Sequence, residues 1–392
     1  MPWLAISLTL TGLYAQEPTR GIETFDGPIV FSQEQIILAR TWELTGDLGV
    51  KAVTPAGETL VVPAKDALLL ETGAATLPGF RPRVVLRNGE SIIAEPQAGG
   101  NDRRWSFTSP LWKSLQLDGS RIARYQAAPV SLAGDHPAPP FVLLRNGDVV
   151  AAGVDRISDG QVTVNTEFGQ THIPLETVSA IILAADSATT DGREANQFLV
   201  ELADGERLYC DRIGESDQDV VLERSGSRCR VGREAILRVV WPGTALTPLT
   251  QLPLRGDGRA YFGAPALPRK DRNALGGPLR IGDRWFERGL GMRPRSRCMF
   301  QLSGRWMYLT GHVGLDPWLG RRGDCQVAVC LSGKEACKEM LQGGQKGRRL
   351  LLPLAEAKDI ELQVDFGPGG DLGDYVNWCD LMLIGPRGEN SK

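Results

Sequence analysis

Hydrophobic residues occur along the whole chain in short runs, separated by Gly, Pro, Asn and Asp. Runs of about four to seven apolar residues between such turn residues are typical of β-strands. Turns at this density favour short strands over long helices. The pattern therefore predicts an all-β protein.

One pattern of strand, turn and strand occurs three times. Its turn glycines, Gly89, Gly147 and Gly205, are each 58 residues apart. The preceding Asn or Asp and the Gly supply the two positive φ angles of a type I′ hairpin turn. Apolar positions further on keep the same spacing between the second and third copies, and the stretch 56–71 resembles the second half of a copy. The three hairpins are VVLRNGESIIA at 84–94, VLLRNGDVVAA at 142–152 and VELADGERLYC at 200–210.

A repeat of about five short strands with one hydrophobic face cannot leave its edges exposed. We expect each repeat to close into a small β-barrel-like unit or to stack on its neighbours. The predicted divisions are a signal peptide at 1–15, an N-terminal β region with the first repeat at 16–135, a second repeat at 136–192, a third at 193–245 and a C-terminal β-sandwich at 246–388.

Composition narrows the class of protein. The chain of 392 residues has 42% hydrophobic and 23% charged residues, which excludes a disordered polar tract. Its 46 Gly and 25 Pro follow no three-residue period, which excludes collagen. The net charge of −3 offers no basic surplus for phosphates, so nucleic acid is not an expected partner.

Residues 1–15, MPWLAISLTLTGLYA, carry no charge and are followed by polar residues. The run is too short to span a bilayer, which needs about 20 residues. It fits the apolar region of a secretory signal peptide ending at Ala15, although it lacks Lys or Arg and has Leu13 near the cleavage point. The alternative is an N-terminal strand or a buried segment. The signal-peptide interpretation predicts a secreted or periplasmic protein with no membrane span after cleavage.

Seven cysteines contain no C-x-x-C pair, so zinc-ribbon and thioredoxin patterns are absent. Cys330 and Cys337 flank a plausible hairpin, and Cys210 and Cys229 lie in one repeat, so either pair could form a disulfide. The alternative is that all seven are small buried apolar residues.

Residues from about 246 to 386 resemble the NPCBM family of carbohydrate-binding modules. Six motifs follow the family's order: a G-x-x-W-F-x-R-GLG element at Gly282–Gly291, L-x-G-x-W, VGLD, a V-x-V hairpin, the strand AKDIELQVDFG and a closing D-x-x-x-W-x-D. The resemblance implies a galactose-binding-like jelly-roll β-sandwich that is exported, non-catalytic and appended to other domains. Two positions depart from the family: Arg293 follows GLG where His is usual, and the closing motif reads DYVNW with Tyr375 and Asn377.

Sugars present hydroxyls and an apolar C–H face, so their sites combine an aromatic platform with polar side chains. In a sandwich such residues lie on the loops at one end. Trp318 either contacts a ligand or packs under its loop, and Arg293 either contacts a ligand or forms a buried ion pair. The candidate ligand-binding residues are Arg293, Asp316, Trp318, Asp374 and Tyr375.

No metal site or cofactor is predicted, although Asp365, Asp371, Asp374 and Asp380 could hold a structural calcium ion through oxygen ligands. No catalytic motif is present: G-x-S-x-G, H-E-x-x-H and a P-loop are all missing, and His312 lies in a strand pattern. The sequence therefore predicts a non-catalytic exported protein that binds a polysaccharide or glycan. The alternative is an envelope structural protein that binds protein partners through its repeats and binds no sugar.

Overall fold

The computed structural model describes residues 21–73, 80–101, 104–129, 136–158, 160–184, 192–217, 219–258, 267–320, 322–370 and 373–388. Residues 1–15, predicted to be a signal peptide, lie outside this part of the chain. The described residues form β-strands and single-turn 3₁₀ helices, so the all-β fold class is confirmed. Within them we find no helix with the length and apolarity needed to cross a membrane. The 3₁₀ turns are Gly119–Arg121, Leu175–Thr177, Arg233–Ala235, Leu249–Gln251 and Pro317–Leu319.

After β1 (Gly21–Glu23), four units share one order of strands: a hairpin, a three-stranded sheet and a closing strand that returns to the hairpin. The first unit has β2 (Ile29–Ser32), β3 (Ile36–Leu38), β4 (Thr41–Leu44), β5 (Val50–Val53), β6 (Thr59–Val62) and β7 (Ala67–Glu71). The second has β8 (Arg83–Leu86), β9 (Ser91–Ile93), β10 (Glu95–Asn101), β11 (Arg104–Ser109), β12 (Lys113–Asp118) and β13 (Ile122–Gln126). The third has β14 (Phe141–Leu144), β15 (Val149–Ala151), β16 (Gly153–Ser158), β17 (Gln161–Thr166), β18 (Gly169–Pro174) and β19 (Val178–Ile182). The fourth has β20 (Phe198–Leu202), β21 (Arg207–Cys210), β22 (Arg212–Ser216), β23 (Asp219–Arg224), β24 (Ser227–Gly232) and β25 (Ile236–Val240).

The hairpins and closing strands of the four units join in one open twelve-stranded sheet, in the order β15-β14-β19-β13-β8-β9-β21-β20-β25-β7-β2-β3. Units that are neighbours in this sheet are joined where their closing strands pair with each other, β13 with β19 and β25 with β7. The three-stranded sheets cover one face of this sheet and bury a continuous hydrophobic core that includes Val84, Phe107, Val164 and Leu222. The units therefore cover one another's edges instead of standing as separate barrels.

The C-terminal part is a sandwich of two antiparallel sheets. Its larger sheet has the order β1-β36-β33-β38-β31-β28, with β26 also pairing with β38, and its smaller sheet has the order β27-β32-β37-β34-β35. The strands are β26 (Thr244–Pro248), β27 (Leu254–Gly258), β28 (Arg269–Lys270), β29 (Leu279–Ile281), β30 (Arg284–Phe286), β31 (Gly289–Met292), β32 (Ser296–Gln301), β33 (Tyr308–Leu315), β34 (Asp324–Leu331), β35 (Lys334–Gln342), β36 (Arg348–Pro353), β37 (Asp359–Phe366) and β38 (Val376–Arg387). Alternating inward residues of both sheets, among them Phe300, Leu309, Leu362 and Trp378, bury a second core.

The larger sheet of the sandwich packs against the outer face of the twelve-stranded sheet. A third hydrophobic cluster joins them and contains residues from both, including Phe31, Leu69, Tyr308 and Met382. The rings of Phe31 and Tyr308 lie 5.5 Å apart, and the Tyr308 hydroxyl donates to the carbonyl of Ser32 at 3.0 Å. The sandwich and the units are thus joined by a packed apolar interface.

All seven cysteines are free thiols in the structure. Neither Cys330 with Cys337 nor Cys210 with Cys229 forms a disulfide. Six of the seven are buried, and burial raises the pKa of each buried thiol above its ordinary value. The six buried cysteines therefore serve as small core residues.

Candidate functional site

Three segments of the sandwich meet at one end of its sheets. They are the turn 271–277 after β28, the segment 316–320 after β33 and the residues 373–375 before β38. We call these three segments, together with Arg293, the loop end. All five residues predicted from the sequence to bind a ligand belong to it.

Asp316 is the centre of the hydrogen-bond network that holds the loop end. Its side chain is buried, and its Oδ2 accepts from Nδ2 of Asn273 at 3.0 Å and from Nδ2 of Asn377 at 2.9 Å. Its Oδ1 accepts from the backbone N–H of Trp318 at 3.0 Å and so caps the 3₁₀ turn Pro317–Leu319. Because both carboxylate oxygens are used in this way, Asp316 fixes the positions of the surrounding segments.

Trp318 projects from this rigid turn into solvent. Its side chain is 74% exposed, the highest value for any described tryptophan. Pro317 begins the turn and Asp316 caps it, which restricts the backbone on which the indole stands. An exposed indole on a fixed backbone offers a flat apolar surface to a ligand. In the structure Trp318 therefore does not pack under its loop, which was one of the two alternatives left open by the sequence.

Arg293 and Tyr375 form a second exposed feature. The guanidinium of Arg293 lies over the ring of Tyr375, 5.2 Å from its centre. The backbone carbonyl of Tyr375 accepts from the N–H of Asp316 at 2.7 Å, which ties this pair to the Asp316 network. Arg293 and Tyr375 are each partly exposed. They present N–H and O–H groups beside the segment that carries Trp318.

Asp374 is placed differently from the other four residues. Its side chain is fully buried, and its Oδ1 accepts from the backbone N–H of Asp324 at 2.8 Å. Asp374 therefore anchors the start of β34 to the segment before β38. It supports the loop end from beneath and offers no surface to a ligand.

Two residues of this network were not among the sequence candidates. Asn273 accepts on its Oδ1 from the N–H of Leu275 at 3.0 Å and that of Gly277 at 2.8 Å, which closes the turn 271–277. Asn377 is completely buried and also donates to the carbonyl of Arg280 at 2.7 Å. Asn377 could have been selected from the sequence, because it departs from the family pattern. No motif or departure in the sequence pointed to Asn273.

The GLG element needs its glycines because backbone segments cross it closely. A Cβ on Gly291 would lie 2.3 Å from the backbone of Asn273, and one on Gly289 would lie 2.2 Å from the carbonyl oxygen of Trp378. Both distances are far below van der Waals contact. The motif thus lets the turn 271–277 and β38 pack directly on β31.

Two other candidates from the sequence, Asp380 and His312, lie beside charged residues of the units. Asp380 points toward the units, where its Oδ2 lies 2.8 Å from Nη2 of Arg238. His312 is next to Arg284, with 3.0 Å between Nε2 and Nη1, and burial together with this cation lowers the pKa of His312 well below its ordinary value. Asp371, considered for calcium, lies outside the described residues. Within the described ranges no three His, Cys, Asp or Glu side chains are grouped to hold a metal ion.

Comparison with protein families identifies the C-terminal part. The sequence of residues 250–384 matches the family model of the NPCBM/NEW2 domain. Residues 250–384 form an NPCBM/NEW2 domain. The resemblance drawn from the six motifs is therefore confirmed for this part of the chain.

Three further similarities accompany the NPCBM/NEW2 match. A protein of Renibacterium salmoninarum named "Putative endo-alpha-N-acetylgalactosaminidase" is 21% identical over 315 residues, which cover 72% of this chain and 20% of that protein. A CBM51 module from Clostridium perfringens GH95, solved with methyl-galactose, is 18% identical over 36% of this chain and 99% of the module, with a TM-score of 0.32. The CBM51-2 and INT domains of Clostridium perfringens ZmpB are 19% identical over 44% of this chain and 40% of that one, with a TM-score of 0.33. The chain thus spans about a fifth of the curated relative.

Proposed function

We propose that the NPCBM/NEW2 domain binds a glycan at the loop end, with Trp318 as the stacking platform. The observation that carries this proposal is the largely exposed indole of Trp318 on a turn held by the buried carboxylate of Asp316. An exposed aromatic face matches the apolar C–H face of a pyranose ring. Because the turn is already ordered, binding costs little conformational entropy there.

Polar groups for sugar hydroxyls are available beside the platform. Arg293 supplies N–H donors, and the hydroxyl of Tyr375 can both donate and accept. Their mutual contact, 5.2 Å from the guanidinium carbon to the ring centre, keeps the two groups in one orientation. The combination of one apolar face with a few oriented polar groups is typical of small-ligand sites.

The test is a glycan array followed by titration of the best glycan with the full chain and with Trp318→Ala. We expect the substitution to weaken binding by about tenfold or more, the loss typical of a central aromatic contact. Phe168→Ala is the matched control, because Phe168 is also a largely exposed aromatic residue but lies in the third unit. Equal binding by wild type and Trp318→Ala, or no retention on any glycan, would contradict the proposal.

We also propose that the protein is exported and acts without catalysis. The apolar residues 1–15 support export, and the absence of a nucleophile or metal-binding motif from the sequence supports a binding role. Deletion of residues 1–15 should abolish recovery outside the cytoplasm, and unchanged recovery would count against export. Hydrolysis of nitrophenyl glycosides by the purified chain would count against a purely binding role. If no glycan binds but the chain captures an envelope protein, the structural alternative gains support.

A further inference from the structure

The twelve-stranded sheet is built from pairs of equivalent strands. Each unit contributes the first and second strands of its hairpin and its closing strand. Closing strands pair with closing strands, β13 with β19 and β25 with β7, and the second hairpin strand β9 pairs with the second hairpin strand β21. Two units that meet through equivalent antiparallel strands are related by an approximate two-fold axis, as two subunits are in an isologous dimer.

The joint between β9 and β21 follows this symmetry residue by residue. Ser91 of β9 is opposite Arg207 of β21, and each lies two residues after the glycine of its hairpin turn, Gly89 or Gly205. The two strands therefore meet in a register in which equivalent positions face each other. The second and fourth units meet in this way with both of their three-stranded sheets in place.

A pair of glutamates closes this joint from both sides. The carboxylate of Glu206, in the fourth unit, accepts from the backbone N–H of Ile93 in the second unit at 2.9 Å. The carboxylate of Glu90, in the second unit, accepts from the backbone N–H of Tyr209 in the fourth unit at 3.0 Å. Each glutamate directly follows its turn glycine, and each N–H belongs to the residue four positions after that glycine. Both glutamates are only 2% exposed, because the joint buries them.

The second hairpin strand of the third unit, β15, lies at one end of the sheet and pairs within the described ranges with β14 alone. The side chain of Val149 is 37% exposed, and Asp148 and Ala151 are exposed as well. Natural edge strands are commonly protected by Lys or Pro, but β15 reads Val-Val-Ala and contains neither. At the opposite end of the sheet, Ile36 and Ile37 of β3 are buried. The exposed apolar edge of the sheet is therefore that of β15.

This edge carries both halves of the joint seen between β9 and β21. Asp148 directly follows Gly147, so its carboxylate is at the position of the two glutamates. Ala151 is four residues after the same glycine, at the position whose N–H those glutamates bind. One strand thus holds an acceptor and a donor that a second copy of the strand can satisfy in return.

The turns before β9 and β15 also hold their acidic side chains alike. Nδ2 of Asn88 donates to Oε2 of Glu90 at 3.0 Å, and Nδ2 of Asn146 donates to Oδ2 of Asp148 at 2.7 Å. In the second unit it is the other oxygen, Oε1, that accepts from the N–H across the joint. The Asn146 contact therefore orients Asp148 in the way that the joint requires.

We propose that β15 pairs with β15 of a second copy of this chain, in the register of β9 with β21, and joins two twelve-stranded sheets into one. In this register Val149 faces Val149 of the second copy and forms an apolar cross-strand pair. Asp148 of each copy accepts from the N–H of Ala151 of the other. The contact closes on itself and gives a dimer. It is independent of the proposed glycan site, because it lies in the third unit and shares no residue with the loop end.

The experiment is sedimentation velocity on the full chain over a wide range of concentrations. We expect an equilibrium between monomer and dimer that Val149→Lys weakens by about tenfold or more, since two like charges would face each other across the joint. Val61→Lys is the matched control, because Val61 is 60% exposed on strand β6 of the first unit. A monomer at every concentration, or equal weakening in the control, overturns the proposal. Growth beyond the dimer also overturns it, because an open series requires unlike edges to pair.

Two further variants decide the question if Val149→Lys fails to fold. Asp148→Glu supplies the longer carboxylate that the internal joint uses and should strengthen dimerisation by about threefold or more; unchanged or weaker dimerisation contradicts the proposed register. Val149→Cys should form a disulfide-linked dimer under mild oxidation, because directly opposite residues of antiparallel strands lie within the reach of a disulfide. Val61→Cys is its control. Absence of the linked dimer, or equal linkage in the control, overturns the proposal.

Discussion

The Oδ2 atom of Asp380 lies 2.8 Å from Nη2 of Arg238. The last acidic residue of the sandwich's closing motif is therefore bonded to the twelve-stranded sheet of the units. The guanidinium of Arg238 is almost completely buried and also contacts Glu71 and Glu201. Its positive charge is therefore balanced by three carboxylates, including that of Asp380.

We predict that Asp380→Asn lowers the free energy of unfolding. Loss of one carboxylate leaves a buried guanidinium incompletely paired, and we expect a cost of about 2–3 kcal/mol, below that of a fully buried pair because Asp380 is partly exposed. Chemical denaturation measures it. The control is Asp257→Asn, which breaks an exposed pair with Arg297 and should cost less than about 0.5 kcal/mol. Equal effects of the two substitutions would contradict a special role for the Asp380 bond.

Glu71 should make the protein sensitive to acid. Although burial opposes ionisation, Arg349 and Arg238 lower the pKa of Glu71 from 4.5 to about 2. Because the folded-state pKa is depressed, the stabilisation is complete above pH 4.5 and is lost as the pH falls toward 2. Glu71→Gln should therefore be less stable than wild type at pH 7, and the difference should shrink at pH 3.

Unfolding curves at the two pH values, with Glu43→Gln as the control, check this prediction. Glu43 pairs with Lys51 at the surface, so its substitution should have a small effect at either pH. A stability difference for Glu71→Gln that does not change between pH 7 and pH 3 would be inconsistent with the lowered pKa.

Glu206 should have the opposite pH dependence. Burial and the neighbouring Asp204 raise the pKa of Glu206 to about 8, and its carboxyl group accepts from the N–H of Ile93 at 2.9 Å. Because the folded-state pKa is raised, stability is lost as the pH rises from about 4.5 toward 8. Glu206→Gln keeps the acceptor oxygen and should stabilise the protein at pH 8 by about 1 kcal/mol or more, with little gain at pH 4.5. Thermal unfolding at both pH values measures this difference.

Two substitutions at the loop end should separate positioning from contact. Asp316→Ala removes the acceptor of three hydrogen bonds and should lower stability by about 1–3 kcal/mol while also weakening glycan binding. Trp318→Ala should weaken glycan binding without a measurable loss of stability, because its indole is mostly in solvent. Substantial destabilisation by Trp318→Ala would show that the indole packs against the protein.

The buried thiols should react slowly with alkylating reagents. Because burial raises their pKa and shields them, the native protein at pH 8 should take up little iodoacetamide, whereas the unfolded protein without reductant should take up seven equivalents. Mass spectrometry counts the adducts. Five adducts in the unreduced, unfolded protein would indicate one disulfide, most simply between Cys330 and Cys337 on the neighbouring strands β34 and β35.

The sequence was sufficient to predict the three hairpins, because a glycine with positive φ is needed at each turn, at 89, 147 and 205. The predicted type I′ turn was wrong, because Asn88, Asn146 and Asp204 before these glycines do not have positive φ angles. The first unit was recognised only in its second half. Its hairpin turns at Gln33 and Glu34, where Ser32 accepts from the N–H of Gln35 at 3.0 Å, so the glycine signature is missing. Domain boundaries stay a prediction.

The location of the loop end could be predicted from the sequence, but the roles of its individual residues could not. Loop position and residue type selected Asp316 and Asp374 along with Trp318. Whether a carboxylate faces solvent or a backbone N–H depends on contacts between distant segments, such as Asp374 with Asp324. Such contacts cannot be read from the local sequence.

The pairing of β1 with β36 bears on how the chain folds during synthesis. Ile22 is opposite Leu350 in the larger sheet, so β1 completes a sheet whose other strands are made much later in synthesis. A growing chain must hold β1 unpaired until β36 has emerged. A fragment starting near residue 246 would lack that strand and expose the edge of β36. Supplying residues 21–23 as a separate peptide, or fusing them to the fragment, is therefore a way to obtain the sandwich alone.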